Sequence, residues 1–188
     1  MKTLLRGLAA ALLACALTAC PETTVNDDFG LKPAALKAAD WNGTWTPVDG
    51  ETDDAVQFTV TNAAQGLILM TERGKKDAKP VEFALRRATA DAKLKLCYAI
   101  AQERDDKKPG AASLLLMREA DDGILYTWII NHDTVAAALQ SGQLQGTVKT
   151  GKDGPHSHLD STPTNATQLL EPQFWNWSEP TCLKRVKE

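Results

Sequence analysis

The sequence predicts a mainly β protein, an antiparallel barrel or strongly curled meander of about 8–9 strands with two or three short helices. Three observations predict it. From Trp41 onward apolar side chains recur with period two. Turns rich in Asp, Gly and Pro break that pattern every ~8–12 residues. The helical stretches are about two turns long, too short to stand alone, so they must pack on a sheet.

The elements follow in chain order. Residues 21–28 bury almost nothing and read as a mobile tether. Pro33 suits the first position of a short lead-in helix over residues 33–39. Trp41-Asn42-Gly43-Thr44-Trp45 then opens the first strand. Val56, Phe58 and Val60 alternate with Gln57, Thr59 and Thr61, and Val81, Phe83 and Leu85 with Glu82, Ala84 and Arg86. Leu94, Leu96, Tyr98 and Ile100 alternate with Lys93, Lys95, Cys97 and Ala99. Residues 67–70, 114–117 and 124–130 are continuous apolar runs. So many strands in succession favour closure, which removes exposed edges. Asp133 or Thr134 can cap a helix over residues 135–140 that stops at Gly142. Thr164 can cap another over 165–170, which stops before Pro172. Residues 144–149, 158–161 and 181–186 are candidate closing strands. If the large side chains face inward, Phe58, Leu69, Phe83, Leu96, Tyr98, Leu116, Tyr126 and Trp128 either wall a ligand pocket or fill a small barrel completely.

The amino-terminal segment carries an address. Lys2 and Arg6 precede an apolar run over residues 8–16, and Leu17-Thr18-Ala19-Cys20 ends it in the pattern of a bacterial lipoprotein signal. The run is shorter than the ~20 residues that a spanning helix needs. Residues 1–19 are therefore read as a removed signal, and Cys20 as the lipidation site, bearing a diacylglyceryl thioether and an acylated amine such as palmitate supplies. Several acyl chains anchor stably where one does not. Residues 20–40 form the lipidated cysteine, flexible tether and lead-in helix, and residues 41–188 a single barrel-like domain. Pro21 is not the aspartate that retains lipoproteins in the inner membrane, so the expected location is the outer membrane, facing the periplasm.

With a formal net charge of −3 and basic residues clustered only at residues 73–76 and 182–187, the chain is a poor nucleic-acid binder. Cys15 leaves with the signal and Cys20 takes the lipid, which leaves Cys97 and Cys182 in an oxidising compartment. One disulfide between them would close a long loop and contribute roughly 4–5 kcal/mol. The other reading is two buried free thiols.

Gly43-Thr44-Trp45 resembles the Gly-x-Trp opening of the lipocalin and calycin barrels. That resemblance implies a tight turn at Gly43, a barrel end plugged by Trp45, and a basic residue of the last strand, Arg185 or Lys184, over the tryptophan face. The layout also resembles a loosely defined group of uncharacterised bacterial lipoproteins, through Gly43-Thr44-Trp45, residues 135–144, and residues 159–162 leading to Leu169-Leu170. Against the lipocalins, the helices fall late in the chain.

Few constellations carry chemistry. His156 and His158 share a face if residues 156–158 are extended, and could hold Zn²⁺ or Cu²⁺ with Asp153, Asp160 or His132, yet residues 151–155 mark an exposed turn. Trp175 and Trp177 either cap the barrel with Trp41 and Trp45 or present a stacking surface to a partner. Ser113, Ser157 and Ser161 lack a nucleophile elbow, and the paired aspartates at 53–54, 105–106 and 121–122 are turn sequences whose carboxylates stay solvated. The expectation is a non-enzymatic envelope protein without cofactor, binding a small apolar or amphipathic ligand. The competing expectation is a protein–protein module: an assembly factor, an enzyme inhibitor or an immunity protein.

Overall fold

The computed structural model describes residues 22–50, 54–74, 78–90, 95–103, 112–120, 122–152 and 154–186. The signal segment, Cys20 and Asp153 lie outside the described residues. Among the described residues there are eleven strands: β1 (Glu22–Val25), β2 (Gly43–Pro47), β3 (Val56–Asn62), β4 (Leu67–Glu72), β5 (Val81–Arg87), β6 (Leu96–Glu103), β7 (Ala112–Glu119), β8 (Ile124–Ile129), β9 (Gly146–Gly151), β10 (Gly154–Leu159) and β11 (Thr181–Arg185). Three helices accompany them: α1 (Ala38–Trp41), α2 (His132–Ser141) and α3 (Pro163–Gln168).

β2 to β8 and β11 form a closed antiparallel barrel of eight strands. Neighbours in sequence are neighbours in space from β2 to β8, β6–β7 pairing completes the meander, and β11 sits between β8 and β2. β7 is the pivot of the molecule. One of its edges pairs with β6 from Ser113 to Arg118; the other pairs with β8 at residues 115–119 and with β1 at Ala112 and Ser113. β1 therefore takes over the edge that β8 leaves, and it carries β10 in parallel and β9 beyond it. Residues 22–25 are thus not a tether but a strand, with Thr23 only 1% exposed. The expected lead-in helix is likewise shorter: a single turn, α1, preceded by irregular chain.

Two apolar clusters share one wall. Trp45, Val56, Phe58, Ile68, Met70, Val81, Phe83, Leu85, Leu115, Met117, Leu125 and Leu183 pack inside the barrel. Tyr98, Ile100, Leu114, Leu116, Trp128 and Ile130 face outward, where Val25, Phe29, α2, α3, Phe174 and Trp175 cover them. Asn131, not Asp133 or Thr134, caps α2 by accepting from Thr134 N, and Gly142 ends it in the left-handed conformation. Thr162, not Thr164, caps α3, with Pro163 at its first position.

This two-sided burial corrects the expected pocket wall. Phe58 and Phe83 point into the barrel. Leu96, Tyr98, Leu116, Tyr126 and Trp128 belong to the outer cluster, and Leu69 alternates with the inward Ile68 and Met70. On β6 the inward positions are the small Cys97, Ala99 and Ala101, because Phe83 on the adjoining β5, paired with Ala101, and Phe58 beyond it already fill the lumen. The bulky residues are free to face the outer layer. Tyr98 illustrates the consequence: its hydroxyl donates to Ala166 O at 2.6 Å, and burial holds the phenol proton well above the ordinary range.

Cys97 and Cys182 are free thiols, not a disulfide. Cys97 packs against the inner cluster, whereas Cys182 adjoins the inward Leu183 and lies opposite the outward Tyr126. β7 and β8 stand between their strands, so at about 4.8 Å per strand the pair is far beyond the ~4.4–6.8 Å Cα separation of a disulfide.

Candidate functional site

The antiparallel order brings Gly43, the β3–β4 turn, Arg87, Cys97, Glu119 and Arg185 to one end of the barrel. The lead-in segment crosses that end and is strapped to it by backbone and side-chain bonds. Ala34 N donates to Leu85 O at 3.0 Å, Leu36 N to Ala63 O at 3.1 Å, and Arg87 N to Lys32 O at 3.0 Å. Asn42 Oδ1 accepts from Val60 N at 2.7 Å. Gly66 sits where these straps cross, at φ 64°; a Cβ there would meet Leu85 O at 2.7 Å and Ala34 O at 2.8 Å, so only glycine fits.

The expected closing trio meets at this end. Gly43 has φ 133°, and a Cβ on it would press on Arg185 Nε at 3.2 Å. Trp45 plugs the interior, donating Nε1–H to Trp41 O at 3.0 Å, and both rings pack edge-on against Phe58. Arg185 donates from Nη1 to Ala39 O at 2.6 Å, so its guanidinium clamps the carboxyl side of the lead-in segment over the barrel end.

Between strap and barrel a half-enclosed cleft of about 310 Å³ remains. Ala34, Leu36, Trp41, Leu85, Leu96 and Cys97 form its apolar floor. Lys37, Arg87 and Lys95 bring positive charge to the rim, with Asp40 and Glu119 beside them. Lys95 holds φ 47°, a strained backbone for a residue with a Cβ. Burial raises the Cys97 thiol from 9.0 to about 11, with Arg87 opposing and Glu119 reinforcing the shift. The thiol is therefore protonated and inert at neutral pH, a floor atom and not a nucleophile.

That shift makes a pH prediction. The unfolded chain ionises this thiol first, so the stability gained from keeping it neutral is whole below pH 9.0 and lost as pH rises to about 11. Urea midpoints taken across that window should fall in the native protein and fall less in Cys97→Ala.

Other expected site residues lie elsewhere. Trp175 is buried in the outer core, its indole N–H bonded to Leu169 O, whereas Trp177 is 40% exposed and rests on Trp128 at 4.9 Å between ring centroids. The two therefore do not form a common stacking surface. His156 and His158 share one face of β10, but His158 Nδ1 is already bonded to Thr24 Oγ1 at 3.0 Å. Among the described residues, no three His, Cys, Asp or Glu side chains converge to hold a metal ion. Thr23 Oγ1 lies 2.9 Å from His132 Nδ1, a hydroxyl–imidazole pair. Desolvation lowers the His132 pKa, and Thr23 is sealed from solvent, so this contact fastens β1 to α2. Lys37, Asp40, Arg87 and Glu119 were not singled out from the sequence, since charged residues beside turns carry no periodic signal. No protein-family model, curated protein or solved structure matches the chain.

Proposed function

We propose that this chain is a lipid-anchored envelope protein, held through Cys20 at the outer membrane, whose body binds a small amphipathic ligand without transforming it. The observation that carries the reading is the cleft of about 310 Å³, whose volume is at the lower end of small-molecule sites and whose apolar floor has a charged rim. Three cations against two carboxylates favour a ligand with an anionic head. The up-and-down strand order and the meeting of Gly43, Trp45 and Arg185 support a kinship with the lipocalin and calycin barrels. In this reading the ligand occupies the strapped end and not the barrel interior, because Phe58 and Phe83 with Trp45 occupy the latter. A second reading, a partner-protein module, retains Trp177 as its exposed aromatic anchor but loses Trp175 to the core.

The test uses 1-anilinonaphthalene-8-sulfonate, a small anionic amphiphile, as the probe. Saturable single-site fluorescence enhancement is expected, weakened about tenfold or more in Ala35→Trp, which fills the cleft from an exposed wall position. Equal affinity in the native protein and Ala35→Trp would remove the cleft as the binding site.

A further inference from the structure

We propose that the strapped, cleft-bearing end of the barrel faces the leaflet that holds the Cys20 acyl chains and contacts its anionic phospholipid headgroups. The inference rests on the reading of Cys20 as the anchor and adds an orientation to it. Three observations lead there.

The first is chain direction. β7 runs toward the strapped end, where its last residue, Glu119, lines the cleft. β1 is antiparallel to β7, with Thr24 opposite Ser113 and Val25 opposite Ala112. Followed backward from Val25 to Glu22, the chain therefore heads toward the strapped end. Only two peptide units separate Glu22 from Cys20, a reach of at most about 7 Å.

The second is the absence of slack in β1. It is hydrogen-bonded on both edges, to β7 and to β10, and Thr23 and Val25 are buried. Thr23 Oγ1 bonds His132 Nδ1, while Thr24 Oγ1 bonds His158 Nδ1 and also donates to Ser157 O at 3.3 Å. The body cannot swing away from its anchor on a long leash.

The third is charge. Lys37, Arg87, Lys95, Arg118, Lys184 and Arg185 are exposed at the strapped end, against Asp40, Glu119 and Asp122 on the same rim among the described residues. At the opposite end, Asp49, Asp54, Glu72 and Glu103 outnumber Arg73 and Lys79 among the described residues. Among the described residues of the barrel, the basic excess is gathered where the anchor strand points. Basic side chains held near an anionic leaflet are attracted to it, and the attraction is short-ranged, so it acts only on a surface kept close.

The experiment uses the processed, membrane-extracted protein reconstituted in vesicles of phosphatidylcholine alone or of phosphatidylcholine with phosphatidylglycerol. A water-soluble amine-acylating reagent is applied and modification is read by peptide mass spectrometry. Lys37 and Lys184 are expected to react about threefold or more slowly in the anionic vesicles, with Lys79 at the far end unchanged. Protection of Lys79 instead, or equal reaction of Lys37 and Lys184 in both vesicles, overturns the orientation. The same digest reports Cys20: if it is acylated and Lys37 is unprotected, the orientation alone fails. If Cys20 carries no lipid, the anchor fails and the orientation with it.

Discussion

Phe58→Ala is expected to destabilise the fold by roughly 3–5 kcal/mol, the range for removing a fully buried aromatic side chain. Phe58 is 1% exposed and stands where the two halves of the inner core meet. Its ring packs edge-on against Trp41, Trp45 and Phe83, the last of these two strands away on β5, at centroid distances of 6.4, 5.9 and 6.4 Å. Truncation would leave a cavity bordered by three rigid rings and a closed ladder of strands, none of which can collapse into it. Equilibrium urea unfolding, followed by tryptophan fluorescence, measures the loss. The same number distinguishes a filled barrel from a hollow one. A cost below about 1.5 kcal/mol would mean that Phe58 borders space already empty, as in a barrel with an internal ligand cavity.

Asn165→Asp should be nearly as damaging, although it changes one atom. Asn165 is fully buried and is the hub of the outer layer. Its Oδ1 accepts from Gln145 N at 2.9 Å, and its Nδ2 donates to Gln145 O at 2.7 Å and to Asp160 O at 2.8 Å. These bonds tie the start of α3 to the chain entering β9 and the chain leaving β10. An aspartate would turn an ionised oxygen toward two carbonyl oxygens that keep only their backbone donors, Asp160 N on Gln145 O and Thr162 N on Asp160 O, at a cost of about 3 kcal/mol or more. The loss should be pH-dependent with a definite sign. The protonated acid can donate to one carbonyl and the ionised acid to neither, so the variant's carboxyl is held above its unfolded-state pKa. The deficit relative to the native protein should therefore shrink as pH falls and be largest at neutral pH. Chemical denaturation of both proteins at matched acidic and neutral pH reads this directly. A deficit that does not change with pH would mean that the side chain has rotated out of the hub.

Much of the architecture was legible because it is local. Alternation placed β3, β5 and β6, the Asp- and Gly-rich turns separated them, and Gly142 ended α2 as its left-handed backbone requires. What escaped depends on distant partners. Glu22-Thr23-Thr24-Val25 is too short for a periodic signal, and it becomes a strand only because β7 and β10, far along the chain, supply both of its edges. Facing was illegible for a related reason. Every residue from Ala112 to Met117 is buried, so alternation in the wall marks two faces without saying which is inside. The thiol pair failed on the same point, since Cys97 and Cys182 look alike in sequence and lie on opposite faces of the wall. Gly43, Trp45 and Arg185 come together at the cleft-bearing end without lining the cleft, and of the expected pocket residues Leu96 alone is among its lining. The cleft itself was not legible, because its rim is assembled from the irregular lead-in chain and two turns, where neither hydropathy nor spacing distinguishes lining residues from solvated ones.

The wall strand β7 has a mechanical consequence. Its outward Leu114 and Leu116 serve the covering layer, while Leu115 and Met117 serve the barrel lumen. Peeling away the cover would wet half of the strand on which the lumen depends, so neither part can melt first and leave the other intact. Amides along residues 113–117 should be the last in the molecule to exchange with deuterated solvent, and heat should undo cover and cylinder in one concerted event.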